Sequence, residues 1–212
     1  MANLIVVKNV LGSLGTNCYT VVNTDTREAV IVDPAANAAF LLQMIKNQNY
    51  KPVAFLLTHA HYDHIGAVNE LKEAYPDAPV VIGENDDELL GNCAANLSMM
   101  FGDEPVFVKS DKTVSDGEEL RLLGTKIKCI EVPGHTKGGI CYYIEENGFL
   151  FDGDTLFAGS IGRSDFPTGN GELLLSSIEE KLFTLPDETK VYPGHNNTTT
   201  IGREKTTNMF FA

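Results

Sequence analysis

Four side chains able to bind a transition metal stand within six residues of this chain, directly after a short apolar run. The segment reads Thr58-His59-Ala60-His61-Tyr62-Asp63-His64 and follows Val53-Ala54-Phe55-Leu56-Leu57. A short, continuous apolar run fits a buried strand, so the donors sit at a strand's C-terminal end. The period of two along an extended chain lets His59 and His61 project to one side. Asp63 and His64 open the next segment, where Ile65, Val68 and Leu71 form a helical stripe. A strand, a donor-bearing turn and a helix are thereby fixed in that order. Imidazole nitrogen and carboxylate oxygen suit zinc, and also iron or manganese.

The chain has five histidines, and the two outside the cluster occupy similar turns. His135 lies in Val132-Pro133-Gly134-His135-Thr136-Lys137-Gly138-Gly139, and His195 in Val191-Tyr192-Pro193-Gly194-His195. Each Pro-Gly-His follows a strand-like segment. Proline fixes one dihedral and glycine admits positive φ, so each turn can present its imidazole sharply to a cleft. Between them Phe149-Leu150-Phe151-Asp152-Gly153-Asp154-Thr155 reads as a strand entering a turn, with Asp154 as a carboxylate that can bridge two cations. Taken singly, His135 and His195 are turn residues, and Asp152 and Asp154 are ordinary turn acids. Three imidazoles and a carboxylate at positions 59 to 64 have few structural uses, and that cluster gives the separate donors their weight.

The 212 residues fit one α/β domain, 1–212, with no linker, repeat or low-complexity tract. Strands are expected at 4–10, 18–23, 28–33, 53–57, 80–82, 106–108, 119–123, 126–132, 139–145, 149–152 and 190–192. Helices are expected at 37–48, 64–75 and about 172–183. Strands interspersed with helices imply sheets covered by helices. The formal charge of −13 would remain strongly negative with two divalent cations bound, which argues against nucleic acid as a partner. Glu84, Asp86, Asp87 and Glu88 read as a solvated helix face. The four cysteines show no C-x-x-C spacing and are expected as free thiols, Cys129 and Cys141 within the core. The N-terminus lacks a basic n-region, and no apolar stretch approaches a membrane span, so a soluble cytoplasmic protein is expected.

The motif His59-x-His61-x-Asp63-His64 with His135, Asp154 and His195 resembles the metallo-β-lactamase fold superfamily. Segment 153–167, Gly-Asp-Thr-Leu-Phe-Ala-Gly-Ser-Ile-Gly-Arg-Ser-Asp-Phe-Pro, and the stretch from Gly194 to Asn208 resemble its short, single-domain glyoxalase II-like branch. The resemblance spans nearly all of the chain. It implies a four-layer αββα sandwich of two mixed sheets flanked by helices, with a metal cleft at one sheet edge. It also implies one metal on His59, His61 and His135, a second on Asp63, His64 and His195, and Asp154 bridging them. β-Lactamases of the superfamily usually place a cysteine where Asp154 aligns and are exported. This chain departs from both, so antibiotic hydrolysis is not expected. Full-length glyoxalase II carries a helical C-terminal extension and a tyrosine after the last histidine, whereas here the chain stops at Ala212 and Asn196, Asn197 and Thr198 follow His195.

Two adjacent cations, zinc before iron or manganese, would lower the pKa of a bridging water to roughly 7. The expected reaction is attack of the resulting hydroxide on a 2-hydroxyacyl thioester such as S-lactoylglutathione, with Asp63 both ligating and orienting the nucleophile. The partner is then a small anionic thioester, whose carboxylate Arg163 or Lys137 could hold. Gly162-Arg163-Ser164-Asp165-Phe166 also resembles persulfide dioxygenases, which use one iron on the equivalents of His59, His135 and Asp154. That oxidoreductase is the alternative; a lactonase and a non-catalytic metal-binding module rank behind it.

Overall fold

Residues 1–211 are described by a computed structural model, which contains two six-stranded mixed sheets packed face to face. The first holds β1 (Leu4–Leu11), β2 (Thr16–Asn23), β3 (Glu28–Val32), β4 (Lys51–Leu56), β5 (Val80–Gly83) and β6 (Lys112–Val114), in that spatial order. β1 to β3 form an antiparallel meander, and β3 to β6 are parallel. The second is built from β7 (Glu119–Leu122), β8 (Thr125–Glu131), β9 (Ile140–Ile144) and β10 (Phe149–Gly153). A two-stranded hairpin, β11 (Leu156–Phe157) and β12 (Ser160–Ile161), interrupts it before β13 (Lys190–Pro193) and β14 (Thr199–Thr200) complete it. β10 and β13 run parallel, so their C-terminal ends open on the same side.

Alternation along the strands decides the layering. In β4 and the residue after it, Ala54 and Leu56 face the second sheet, while Phe55 and Leu57 face outward. The inner face joins Tyr19, Val30, Val32, Leu56 and Val81 to Ile127, Cys129, Tyr142, Phe151 and Tyr192. The outer face of the first sheet is covered by α1 (Ala38–Asn47) and α3 (Val68–Ala74), through Leu41, Ile45, Val68 and Leu71. On the far side, Leu174 of a helix starting at Gly171, Ile178 and Leu182 in its continuation, and Ile201 cover Ile130, Tyr143, Leu150 and Val191. The result is the expected helix–sheet–sheet–helix order. All four cysteines are free and buried.

Several boundaries differ from those expected. The helix expected over 64–75 is two pieces, α2 (Tyr62–Ile65) and α3, because the Ala67 amide donates to Pro34 O at 2.9 Å instead of continuing the helical ladder. Residues 106–108 are not a strand. Val106 N donates to Ser98 Oγ at 3.0 Å and Val108 N to Leu90 O at 3.2 Å, so neighbouring helical turns pin this stretch and the edge strand forms at β6. The acids at 84–88 do not form one solvated face: a helical turn covers Asp87–Leu90, and Asp86 is fully buried. Asp152, expected as a turn acid, is also buried. The hairpin β11–β12, β14 and the helix Ile201–Thr207 were not expected, each being too short for a periodic signal. Among the described residues no helix is long and apolar enough to cross a membrane.

Candidate metal centre

Four segments deliver the donors, each beginning at the C-terminal end of a strand. His59 and His61 leave β4, Asp63 and His64 ride on α2, His135 follows β8, Asp154 follows β10 and His195 follows β13. The Pro-Gly pairs aim the last histidines in different ways. Gly134 has φ 134°, which disfavours a side chain. Gly194 shows no positive φ; there the need is room, since a Cβ would lie 2.6 Å from His64 Cε1.

All seven expected donors converge, and they do so as two sets. His135 Nε2 lies 3.2 Å from His59 Nε2 and 2.9 Å from His61 Nδ1. In the second set, Asp63 Oδ2 lies 3.5 Å from His64 Nε2 and 3.4 Å from His195 Nε2. Asp154 spans both: Oδ1 is 3.4 Å from His64 Nε2, and Oδ2 is 3.5 Å from His195 Nε2 and 3.7 Å from His135 Nε2. Tetrahedral ligands at about 2.0–2.1 Å from a zinc ion stand roughly 3.4 Å from one another, so these separations fit a cation in each set. Orphaned atoms make the same point. His64 Nε2 and Asp154 Oδ1 are buried without a hydrogen-bond partner among the described residues, an arrangement that costs stability unless a cation fills the gap.

Outer partners fix the rings. Asp33, at the end of β3, accepts from His64 Nδ1 at 2.9 Å and from Thr58 Oγ1 at 2.7 Å. The Thr58 hydroxyl thus donates to Asp33 and accepts from His59 Nδ1 at 3.1 Å. His135 Nδ1 donates to Arg163 O at 2.6 Å. In the His59 and His135 rings the proton is held on Nδ1 and the Nε2 lone pair is turned inward, and Asp33 fixes the His64 ring with its Nε2 facing the same cleft, the usual outer-shell device of metal sites. Thr16 Oγ1 donates to Asp63 Oδ2 at 2.7 Å. Asp33 and Thr16 were not singled out in the sequence; for Asp33 the local signal available was an acid closing the apolar Ala29–Val32 run.

The two sets differ electrostatically. Burial, then neighbouring imidazoles, lowers the pKa of His59, and burial with His135 takes His61 down to about 3. His135 is also lowered by burial. These rings are neutral and ready to ligate. Burial opposes charge on His64 and His195 too, but carboxylates outweigh it: Asp63, Asp154 and Asp33 raise His64, and Asp154 and Asp63 lift His195 to about 9.

A cleft of about 420 Å³ opens over the donors, walled by Leu14, Leu97, Phe101, Phe157, Ile161 and Phe166. Arg163 stands at its rim, its guanidinium bonded to Asp165 at 2.8 and 2.9 Å and 4.2 Å above the Phe166 ring. Lys137 is not in this lining; its ammonium pairs with Glu88 on the outside. A groove of about 640 Å³ at the far end of the sheets, around Arg121 and Thr125, contains none of the donors.

Residues 11–195 match the family described as the metallo-beta-lactamase superfamily. The probable metallo-hydrolase YqgX of Bacillus subtilis (strain 168) is 37% identical, covering 94% of each chain. The hydroxyacylglutathione hydrolase GloC of Haemophilus influenzae is 37% identical, covering 92% of each. Among solved structures, BLEG-1 B3 metallo-beta-lactamase superposes with a TM-score of 0.93 at 36% identity, over 98% of this chain and 99% of that one. TTHA1623 in a di-iron-bound form gives 0.84 at 36%, over 96% and 99%. ETHE1 from Myxococcus xanthus gives 0.76 at 32%, over 97% and 83%.

Proposed function

This chain belongs to the metallo-beta-lactamase superfamily, among relatives that are metallo-hydrolases, and from that premise we propose that it is a dinuclear, metal-dependent thioester hydrolase of glyoxalase II type. The proposed substrate is a small anionic 2-hydroxyacyl thioester such as S-lactoylglutathione. One observation carries the reading: Asp154 offers its two oxygens to both donor sets, as a carboxylate shared by two cations does. Zinc is the first choice for both positions, with iron or manganese compatible with the same donors. When bound there, such ions supply a water acidic enough to lose its proton near neutral pH and a positive charge for the thioester carbonyl.

The chain's own groups supply the rest. Thr16 holds the Asp63 carboxylate, leaving Asp63 placed to orient an attacking water from its end of the cleft. The apolar walls limit water around the reacting carbonyl and accommodate the thioester's carbon skeleton. Arg163, a cation at the rim of the cleft, is the proposed contact for a substrate carboxylate. No protein nucleophile is required.

The test is metal content of protein purified without added metal, followed by S-D-lactoylglutathione hydrolysis. Two transition ions per chain with turnover is the expected result. One ferrous ion with persulfide-dependent oxygen uptake would replace this reading with the dioxygenase, since the seven donors also contain the smaller set of His59, His135 and Asp154. BLEG-1 makes β-lactam hydrolysis the third assay, and turnover there without thioesterase activity would also overturn the proposal.

A further inference from the structure

We propose that Asp86 is a positioning residue for the three-imidazole set, locking the loop of His59 and His61 to the loop of His135. The carboxylate has no solvent exposure and three partners. Oδ2 accepts from the Ala60 amide at 3.2 Å and from Thr136 Oγ1 at 2.8 Å, and Oδ1 accepts from the Gly138 amide at 2.8 Å. Ala60 lies between two of the donors, and Thr136 directly follows the third. One buried anion therefore sets the spacing of all three rings, although it touches none of them.

The backbone is shaped for this contact. The Asp86 amide donates to Gly83 O at 3.0 Å, turning the chain back at the end of β5. Gly138 packs against that turn so closely that a Cβ would lie 2.7 Å from Asn85 Cβ, and this approach is what brings its amide to the carboxylate. A second tie runs alongside, from the Ile140 amide to Thr58 O at 2.8 Å. The other set has its own outer partners, Thr16 on Asp63 and Asp33 on His64, and none of them contacts Asp86. Loss of Asp86 should therefore act on one set and spare the other.

The inference rests on the reading of these imidazoles as metal ligands. Its test is stepwise titration of the full, metal-stripped chain with cobalt(II), following paramagnetically shifted imidazole N–H signals. The triad contributes three histidines and the Asp63 set two. In Asp86→Asn the triad's affinity should fall by roughly 10–100-fold, as outer-shell changes do, while the other set stays within about twofold. Thr136→Val, which removes a single donor and keeps the carboxylate, should weaken the same set to a lesser degree and covers the case in which Asp86→Asn fails to fold. Equal losses at both sets, or none, would overturn the role of Asp86 alone. Wild-type protein that binds no cobalt would defeat the proposed function as well.

Discussion

Asp33 Oδ2 and His64 Nδ1 lie 2.9 Å apart, both buried, and the same oxygen accepts the Thr58 hydroxyl that steadies His59. One carboxylate from β3 thus orients a histidine in each donor set. Asp33→Ala is predicted to weaken metal binding at both sets by roughly 10–100-fold, in contrast to the one-sided effect of Asp86. Chelator competition measures it. Leaving His64 buried without its acceptor should also cost about 3–5 kcal/mol of stability in the metal-free chain, read by urea unfolding.

Proton release should distinguish the two sets at pH 7. His59, His61 and His135 are held below their ordinary value and have no proton to lose. His64 and His195 are raised and must each lose one, so occupation of the second set is predicted to release about two protons. Affinity there should increase with pH until about 9, where His195 titrates, and stay flat at the triad. In the metal-free chain the sign is reversed for folding. A raised His195 contributes stability fully below its unfolded value of 6.5, and this contribution is lost as pH climbs through about 9. Calorimetry in buffers of differing ionisation heat checks the release; equal release by both sets would refute it.

Asp154→Asn removes the anionic oxygen shared between the sets. Metal content should fall from two ions per chain towards one, and thioester turnover by more than the roughly 10–100-fold that outer-shell changes cost. Asp63→Ala tests the orienting role separately. Turnover should fall further than the loss of metal explains, and full activity at full loading would remove that role.

Arg163→Ala should raise KM about two- to fivefold for a thioester bearing a carboxylate, with kcat kept, because an exposed ion pair adds uniform binding. Asp165→Ala should lower KM, since it releases the guanidinium from its present partner. A neutral thioester should respond to neither change. Lys137→Ala is predicted to be silent, its ammonium being spent on Glu88 outside the cleft.

The donors were legible because few other uses exist for so many imidazoles at strand ends, whereas the four-layer order was implied by the family resemblance and not by any periodicity, since strands such as β2 and β9 are buried on both faces. Outer partners were not legible. Asp86 stands in a run of acids that looks like a solvated surface, and its partners lie 26, 50 and 52 positions away. Asp33 is similarly joined to residues 25 and 31 positions distant. Long-range hydrogen bonds leave no local pattern, whereas metal-ligand chemistry does. The break between α2 and α3 was hidden for the same reason, since its cause is the carbonyl of Pro34.

Asn17 Nδ2 and the Tyr19 hydroxyl, both from β2, donate to Pro193 O at 2.8 Å, and the Asn17 amide donates to Gly194 O at 2.7 Å. The turn that presents His195 is therefore buckled to the opposite sheet by groups that need no ion. Such a socket is cast before it is filled: stripping with a chelator should silence the protein while leaving its circular dichroism intact. Metal uptake would then follow folding and not drive it.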